Sequence, residues 1–131
     1  IELVVVIAVL AILSAVAIPA FVGVQDNAEA AAVKNGLVNG IKECVVRQAN
    51  QDTTAFGEVQ SYANVNAFNG FVLSDNTGGT GCFGATATPT TAKASTHATF
   101  NIILDDGVAE KTCNDEDRPG CNDDSSTSAG W

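Results

Sequence analysis

The first 24 residues, IELVVVIAVLAILSAVAIPAFVGV, form an apolar run broken only by Glu2, Ser14, Pro19 and Gly23. Wound as an α-helix, such a run rises roughly 33–36 Å, enough to cross a bilayer core of about 30 Å. It is apolar on every side, so it must be buried in lipid or among other helices. A secretory signal peptide is the competing assignment. Against it, the run has no basic n-region, is longer than a usual h-region, and passes into more helix without a cleavage-like break.

The continuation, 25–51, carries a stripe. Ala30, Val33, Leu37, Ile41, Cys44 or Val45, and Gln48 recur every three or four residues, while Lys34, Asn35, Lys42, Glu43 and Arg47 fall largely off that line. This spacing predicts a helix half-buried against a globular partner, with Cys44 placed to be stapled to whatever covers it. Joined to the apolar run, it predicts one helix of about 50 residues, several times the usual length. The first half projects and the second belongs to a domain.

The remainder is expected to be a small head. Region 52–96 is rich in Gly, Thr, Asn and Ala and reads mainly as connecting loop. Gly70-Phe71-Val72-Leu73 suggests a short buried element, Asp75–Gly81 a loop, and Cys82–Ala87 the opening of a sheet. Residues 85–99, low-complexity Ala/Thr/Pro/Ser, are expected to be a surface excursion, and His97 within them a surface residue. Region 97–131 predicts a β-hairpin: Thr99–Leu104, a turn at Asp105-Asp106-Gly107, then Val108–Cys113. Beyond it lie a polar loop, Cys113–Cys121, and a Ser/Asp-rich tail ending in an isolated Trp131. The fold class is therefore α+β: a long helix, with an apolar projecting half (1–24) and an amphipathic half, packed on a small antiparallel sheet within a head spanning 25–131.

Four cysteines, Cys44, Cys82, Cys113 and Cys121, contain no CxxC pair, and the one histidine is distant from all of them in sequence. That pattern gives little support to a zinc site and favours two disulfides in an oxidising compartment. Three connectivities are open. The short loop favours Cys113–Cys121, which leaves Cys44–Cys82. In the chain-entropy model these stabilise by about 2.5 and 4 kcal/mol.

The net charge is −9, and from Asp105 onward eight acidic residues face only Lys111 and Arg118. Such a polyanion has no electrostatic footprint for phosphate backbones, so the subunit alone is not expected to bind nucleic acid. The acidity reads as a solvated surface. Asp115-x-Asp117 before Gly120 faintly echoes a calcium loop, but Pro119 and Ser126 stand where further ligands belong. No metal or cofactor is expected. No nucleophile-elbow, phosphate-loop or dinucleotide-binding motif occurs, so the chain is read as having no catalysis of its own.

Ile1-Glu2-Leu3-Val4-Val5-Val6-Ile7-Ala8 and Ala15-Val16-Ala17-Ile18-Pro19-Ala20-Phe21 resemble the N-terminal signature of type IV pilins and pseudopilins. The likeness is close over 1–24 and rests on architecture beyond that. It implies that three residues, beginning with an N-methylated Phe, precede Ile1. It implies a pilin fold with a disulfide-closed C-terminal loop, a prepilin peptidase and pilus assembly machinery as partners, and residence in the inner membrane before assembly. Above all it implies homopolymerisation into an extracellular helical filament used for adhesion, motility or DNA uptake. Glu2 matches the glutamate that neutralises a neighbouring subunit's terminal amine. Pro19 matches the helix-disrupting proline, with a kink or loosened turn around 14–22; the family often has Gly where this chain has Ala11, which favours helix. A major pseudopilin of a type II secretion system is the alternative within the family, disfavoured by the four cysteines. A membrane-anchored monomeric binding domain is the alternative outside it, and would need neither Glu2 nor Pro19.

Overall fold

The computed structural model describes residues 1–52, 55–63, 70–121 and 130–131; the side chains of 17–22 and 63 lie outside that description. Helix α1 spans Glu2–Ala49 and has 48 residues. It stops where Gln51 takes a left-handed φ of 58°. The amide of Asp52 then bonds the Arg47 carbonyl at 2.9 Å and that of Gln51 the Gln48 carbonyl at 3.0 Å, the paired bonds of a Schellman ending. A 3-10 turn at Phe56–Glu58 and a short helix, α2 (Gln60–Ala63), follow.

Four strands form one antiparallel meander in the order β1-β2-β3-β4: Phe71–Asp75, Gly84–Pro89, Phe100–Asp105 and Val108–Cys113. The architecture is thus α+β, an N-terminal helix on a four-stranded sheet with a disulfide in the C-terminal region. The β3–β4 turn is Asp106-Gly107, both at positive φ (48° and 81°), as a two-residue hairpin of the primed type requires.

Two parts of the sequence reading are corrected here. Region 52–96 is not chiefly connecting loop, and 85–99 is not wholly a surface excursion, because β1 and β2 both lie within 52–96. Strand β2 is internal, pairing Phe71↔Pro89 through Asp75↔Ala85 on one side and Gly84↔Ile103 through Ala87↔Phe100 on the other. The Ala-Thr-Ala-Thr stretch that reads as low complexity has the two-residue period of a strand: Ala85 and Ala87 point inward at 0% exposure, Thr86 and Thr88 outward. Small inward residues there let α1 approach the sheet closely. Cys82 belongs to a 3-10 turn, Gly81–Phe83, just ahead of that strand.

The core joins the helix stripe Ala30, Val33, Leu37, Ile41 and Cys44 to Phe71 and Leu73 of β1, Ala85 and Ala87 of β2, and Phe100 and Ile102 of β3. Val45 and Gln48, also assigned to the stripe, are exposed. Disulfides join Cys44 to Cys82 and Cys113 to Cys121, with Cα–Cα distances of 5.7 and 5.9 Å. Trp131 is not isolated. Its indole Nε1 donates to the carbonyls of Asn101 (3.2 Å) and Thr112 (3.0 Å), and its ring meets Phe100 edge-on.

Among the described residues no helix is long and apolar enough to cross a membrane. The expected crossing by 1–24 needs positions 17–22, and the described apolar run, 1–16, rises only about 24 Å against a hydrocarbon core of about 30 Å. The kink expected from Pro19 falls on 17–22, whose side chains lie outside the description.

Candidate assembly interface

Residues 1–16 of α1 are exposed throughout, from Ile1 and Leu3 at 103% and 80% to Leu13 and Val16 at 61% and 72%. No face of this half-helix is covered by the head, which first meets the helix at Asp26 and Glu29 and whose apolar core begins at Ala30. The total accessible surface is 8155 Å². A compact monomer of this mass exposes about 6,500 Å². The excess of about 1,700 Å² is about twice what one partner buries in a standard protein–protein interface.

Two polar side chains interrupt the described apolar segment. Ser14 Oγ donates to the Leu10 carbonyl at 2.7 Å. Its hydroxyl is therefore satisfied within the helix and can be buried elsewhere at little cost. Glu2 is exposed in the first turn, where its charge complements the helix N-terminus. No described residue of the chain covers it, so among these residues it has no cationic partner, and in an assembly one would come from another molecule.

The head holds the other half of α1 by polar contacts as well as by the apolar stripe. Glu43 receives bonds from the amides of Gln60 (2.8 Å) and Ser61 (3.1 Å), from Ser61 Oγ (3.0 Å) and from Arg47 Nε (3.3 Å). Burial pushes its carboxyl up, but these four donors outweigh that and hold it below its ordinary 4.5. It thereby caps α2 from across the chain. Lys34 Nζ donates to the Gly120 carbonyl at 3.1 Å, fastening the Cys113–Cys121 loop to the helix.

The junction between the exposed and buried halves carries a cluster not visible in the sequence. His97, read above as a surface residue, is 3% exposed, between Phe71, stacked at 5.0 Å, and the helix. Its Nε2 lies 2.7 Å from Glu29 Oε2 and 4.0 Å from Asp26 Oδ1. An ionised carboxylate only accepts, so Nε2 is the donor; Nδ1 is buried with no partner. Lys93 Nζ stands 3.3 Å from Glu29 and 3.9 Å from Asp26. Burial raises the Glu29 carboxyl, yet bonds from His97, Gln25 and Lys93 prevail and keep it below its ordinary 4.5. Asp26 and Glu29, three positions apart, share one helix face; His97 comes from the segment entering β3. The separation of 68 positions between Glu29 and His97 hid the pairing.

The other features singled out in sequence stay apart from this cluster. Asp115 of the acidic loop accepts from the Asp117 amide (3.2 Å) and from Arg118 Nε (2.9 Å). The Arg118 bond is the main reason its carboxyl is held below the ordinary range. Ser126 lies outside the described residues. No protein-family model, curated protein or solved structure matches this chain.

Proposed function

We propose that this chain is the structural subunit of an extracellular type IV pilus, polymerising through its N-terminal helix into a helical filament. The observation that carries the reading is the wholly uncovered apolar half-helix 1–16, continuous in α1 with a half clamped in a disulfide-stapled head. A surface of that kind is cohesive with copies of itself. If all of that excess were apolar and buried on assembly, about 25 cal/mol per Å² would set an upper bound of roughly 40 kcal/mol of gross hydrophobic association, before the large costs of ordering and desolvation.

In this reading Glu2 pairs with the terminal amine of a neighbouring subunit. A lone carboxylate in a helix core costs several kcal/mol unless it is paired, and the pairing sets the register between helices. The subunit is held at the inner membrane, processed by a prepilin peptidase and extracted by assembly machinery. The −9 charge lies outside the apolar half except at Glu2, so the filament surface is anionic and well solvated. The pilin fold belongs to this proposal, as do adhesion, motility or DNA uptake as uses of the filament.

Electron microscopy of sheared cell-surface material tests it. Thin regular filaments containing this chain are expected, and should be lost with Val6→Asp, which places an unpaired charge on the exposed half-helix. Filaments that persist with Val6→Asp, or a chain found only as a dispersed monomer, would remove the polymerisation reading. Normal filaments with Glu2→Gln would remove the pairing role alone.

A further inference from the structure

We propose that Asp26, Glu29 and His97 form a binding site for a zinc-class divalent cation, which on binding takes the place of the Lys93 ammonium. The three ligand atoms lie within 4.8 Å of one another and come from two elements only, the helix and the segment before β3. One imidazole nitrogen and two carboxylate oxygens suit a borderline cation such as Zn²⁺ or Co²⁺ better than Ca²⁺, which prefers an all-oxygen shell.

The geometry requires the Asp26 carboxylate to close on the other two ligands, since the three atoms lie within 4.8 Å of one another. Ligands about 2.0–2.1 Å from a tetrahedral ion stand roughly 3.3 Å apart. The His97–Glu29 and His97–Asp26 separations, 2.7 and 4.0 Å, lie on either side of that figure. The ion would sit between the acids and the imidazole, with solvent as a fourth ligand on the side where Asp26 is 20% exposed.

Two features point to a ligand rather than to a finished ion network. First, two carboxylates face one ammonium and one imidazole, and Lys93, 31% exposed, approaches both acids without closing tightly on Asp26. Second, His97 Nδ1 is buried and unpartnered. To bind a cation, Nε2 must give up its hydrogen, and the neutral ring then carries it on Nδ1. The shift leaves that hydrogen on a buried nitrogen without an acceptor, a cost that the bond from Nε2 to the cation must exceed. Lys93 can swing into solvent along its own stem, so the competitor leaves without disturbing the core.

The chain also isolates the site chemically. His97 is its one histidine, and all four cysteines are in disulfides, so no other imidazole or thiolate competes for the ion. Binding would tie the segment entering β3 to the helix just past the apolar half, stiffening the junction between the half-helix and the head.

Calorimetric titration of Zn²⁺ into the disulfide-intact full chain in non-ionic detergent tests this, with Co²⁺ absorption as a direct readout of ligation. One ion per chain is expected. Lys93→Gln, which removes the competing charge, should tighten binding about tenfold, whereas Asp26→Asn and His97→Gln should each weaken it about 10–100-fold. The Lys93→Gln direction is decisive, since in a purely structural network that change only loosens the cluster. Should His97→Gln fail to fold, Asp26→Asn still reads the ligand set from a part-exposed position. The proposal falls if neither the parent chain nor Lys93→Gln shows saturable binding at millimolar Zn²⁺. It falls equally if Asp26→Asn binds as the parent does, or if Lys93→Gln binds more weakly.

Discussion

Gly40 stands in the middle of α1, where glycine costs about 1 kcal/mol relative to alanine. Its presence there has a specific cause. A Cβ at this position would overlap Cε1 and Cζ of Tyr62 and lie 2.6 Å from its Cδ1. The ring cannot step aside, being 1% exposed and stacked on Phe56 at 4.8 Å with an interplanar angle of 13°. Gly40→Ala therefore has to expel Tyr62. Losing a buried aromatic costs about 3–5 kcal/mol, of which the better helix former returns about 1, so a net loss of about 2–4 kcal/mol is expected. In a Tyr62→Ala background the obstruction is gone, and Gly40→Ala should instead stabilise by about 1 kcal/mol. Denaturant unfolding of the disulfide-intact chain, followed by the fluorescence of Trp131, gives all four corners of the cycle. A neutral or stabilising Gly40→Ala in the parent chain would refute the packing argument, as would an equal destabilisation with and without the Tyr62 ring.

Acid lability should centre on Glu43: its carboxyl is held below the ordinary 4.5, so the stability it contributes is complete above that value and drains away as pH falls through the lower native one. Glu43→Gln should flatten the pH dependence of the melting temperature below about pH 4.5 while lowering stability near neutrality. Removing Cys113–Cys121 by a double Ser substitution is expected to cost about 2.5 kcal/mol, and removing Cys44–Cys82 about 4 kcal/mol, read as the difference in unfolding midpoints. Trp131→Phe keeps the ring against Phe100 but removes the indole donor shared by the carbonyls of Asn101 and Thr112, a loss of about 0.5–1.5 kcal/mol in thermal unfolding followed by circular dichroism.

What was legible in the sequence is what rests on local periodicity. The stripe from Ala30 to Cys44 needs only the 3.6-residue repeat, and the β3–β4 hairpin needs only the Asp-Gly turn with its two positive φ angles. Strand β2 was legible only in part: Cys82–Ala87 reads as the opening of a sheet, but the run to Pro89 alternates Ala and Thr, which differ too little in hydropathy to mark an inner and an outer face, and burial separates them only once α1 lies on top. His97 failed for a different reason. Its environment is set by Asp26 and Glu29, two acids on a helix turn that reads as solvated, and by Phe71 on another strand. Buried polar networks of this kind depend on tertiary placement, and no spacing rule along the chain brings 26, 29, 93 and 97 together. The tail escaped for the same cause, since Trp131 finds its partners in backbone carbonyls, which carry no sequence signal.

These long-range contacts share a purpose in how the head holds the helix. The gripped stretch of α1 runs from Asp26 to Cys44, about 27 Å along the axis. It is held at its far end by the Cys44–Cys82 bond, near its middle by Lys34 on the Gly120 carbonyl, and at its near end by the Asp26/Glu29–Lys93/His97 cluster. The covalent tie is thus farthest from the exposed half, and the tie made only of charges and hydrogen bonds is closest to it. In the proposed filament, force between subunits enters through 1–16 and meets the polar cluster first. That cluster can open and reform, whereas the disulfide beyond it keeps the helix from being drawn out of the head. A reversible contact at the point of entry, backed by an irreversible one behind it, lets the junction yield without the subunit unfolding. In the same proposed filament, residues 1–16 are left clear of their own head and would be covered by neighbouring subunits.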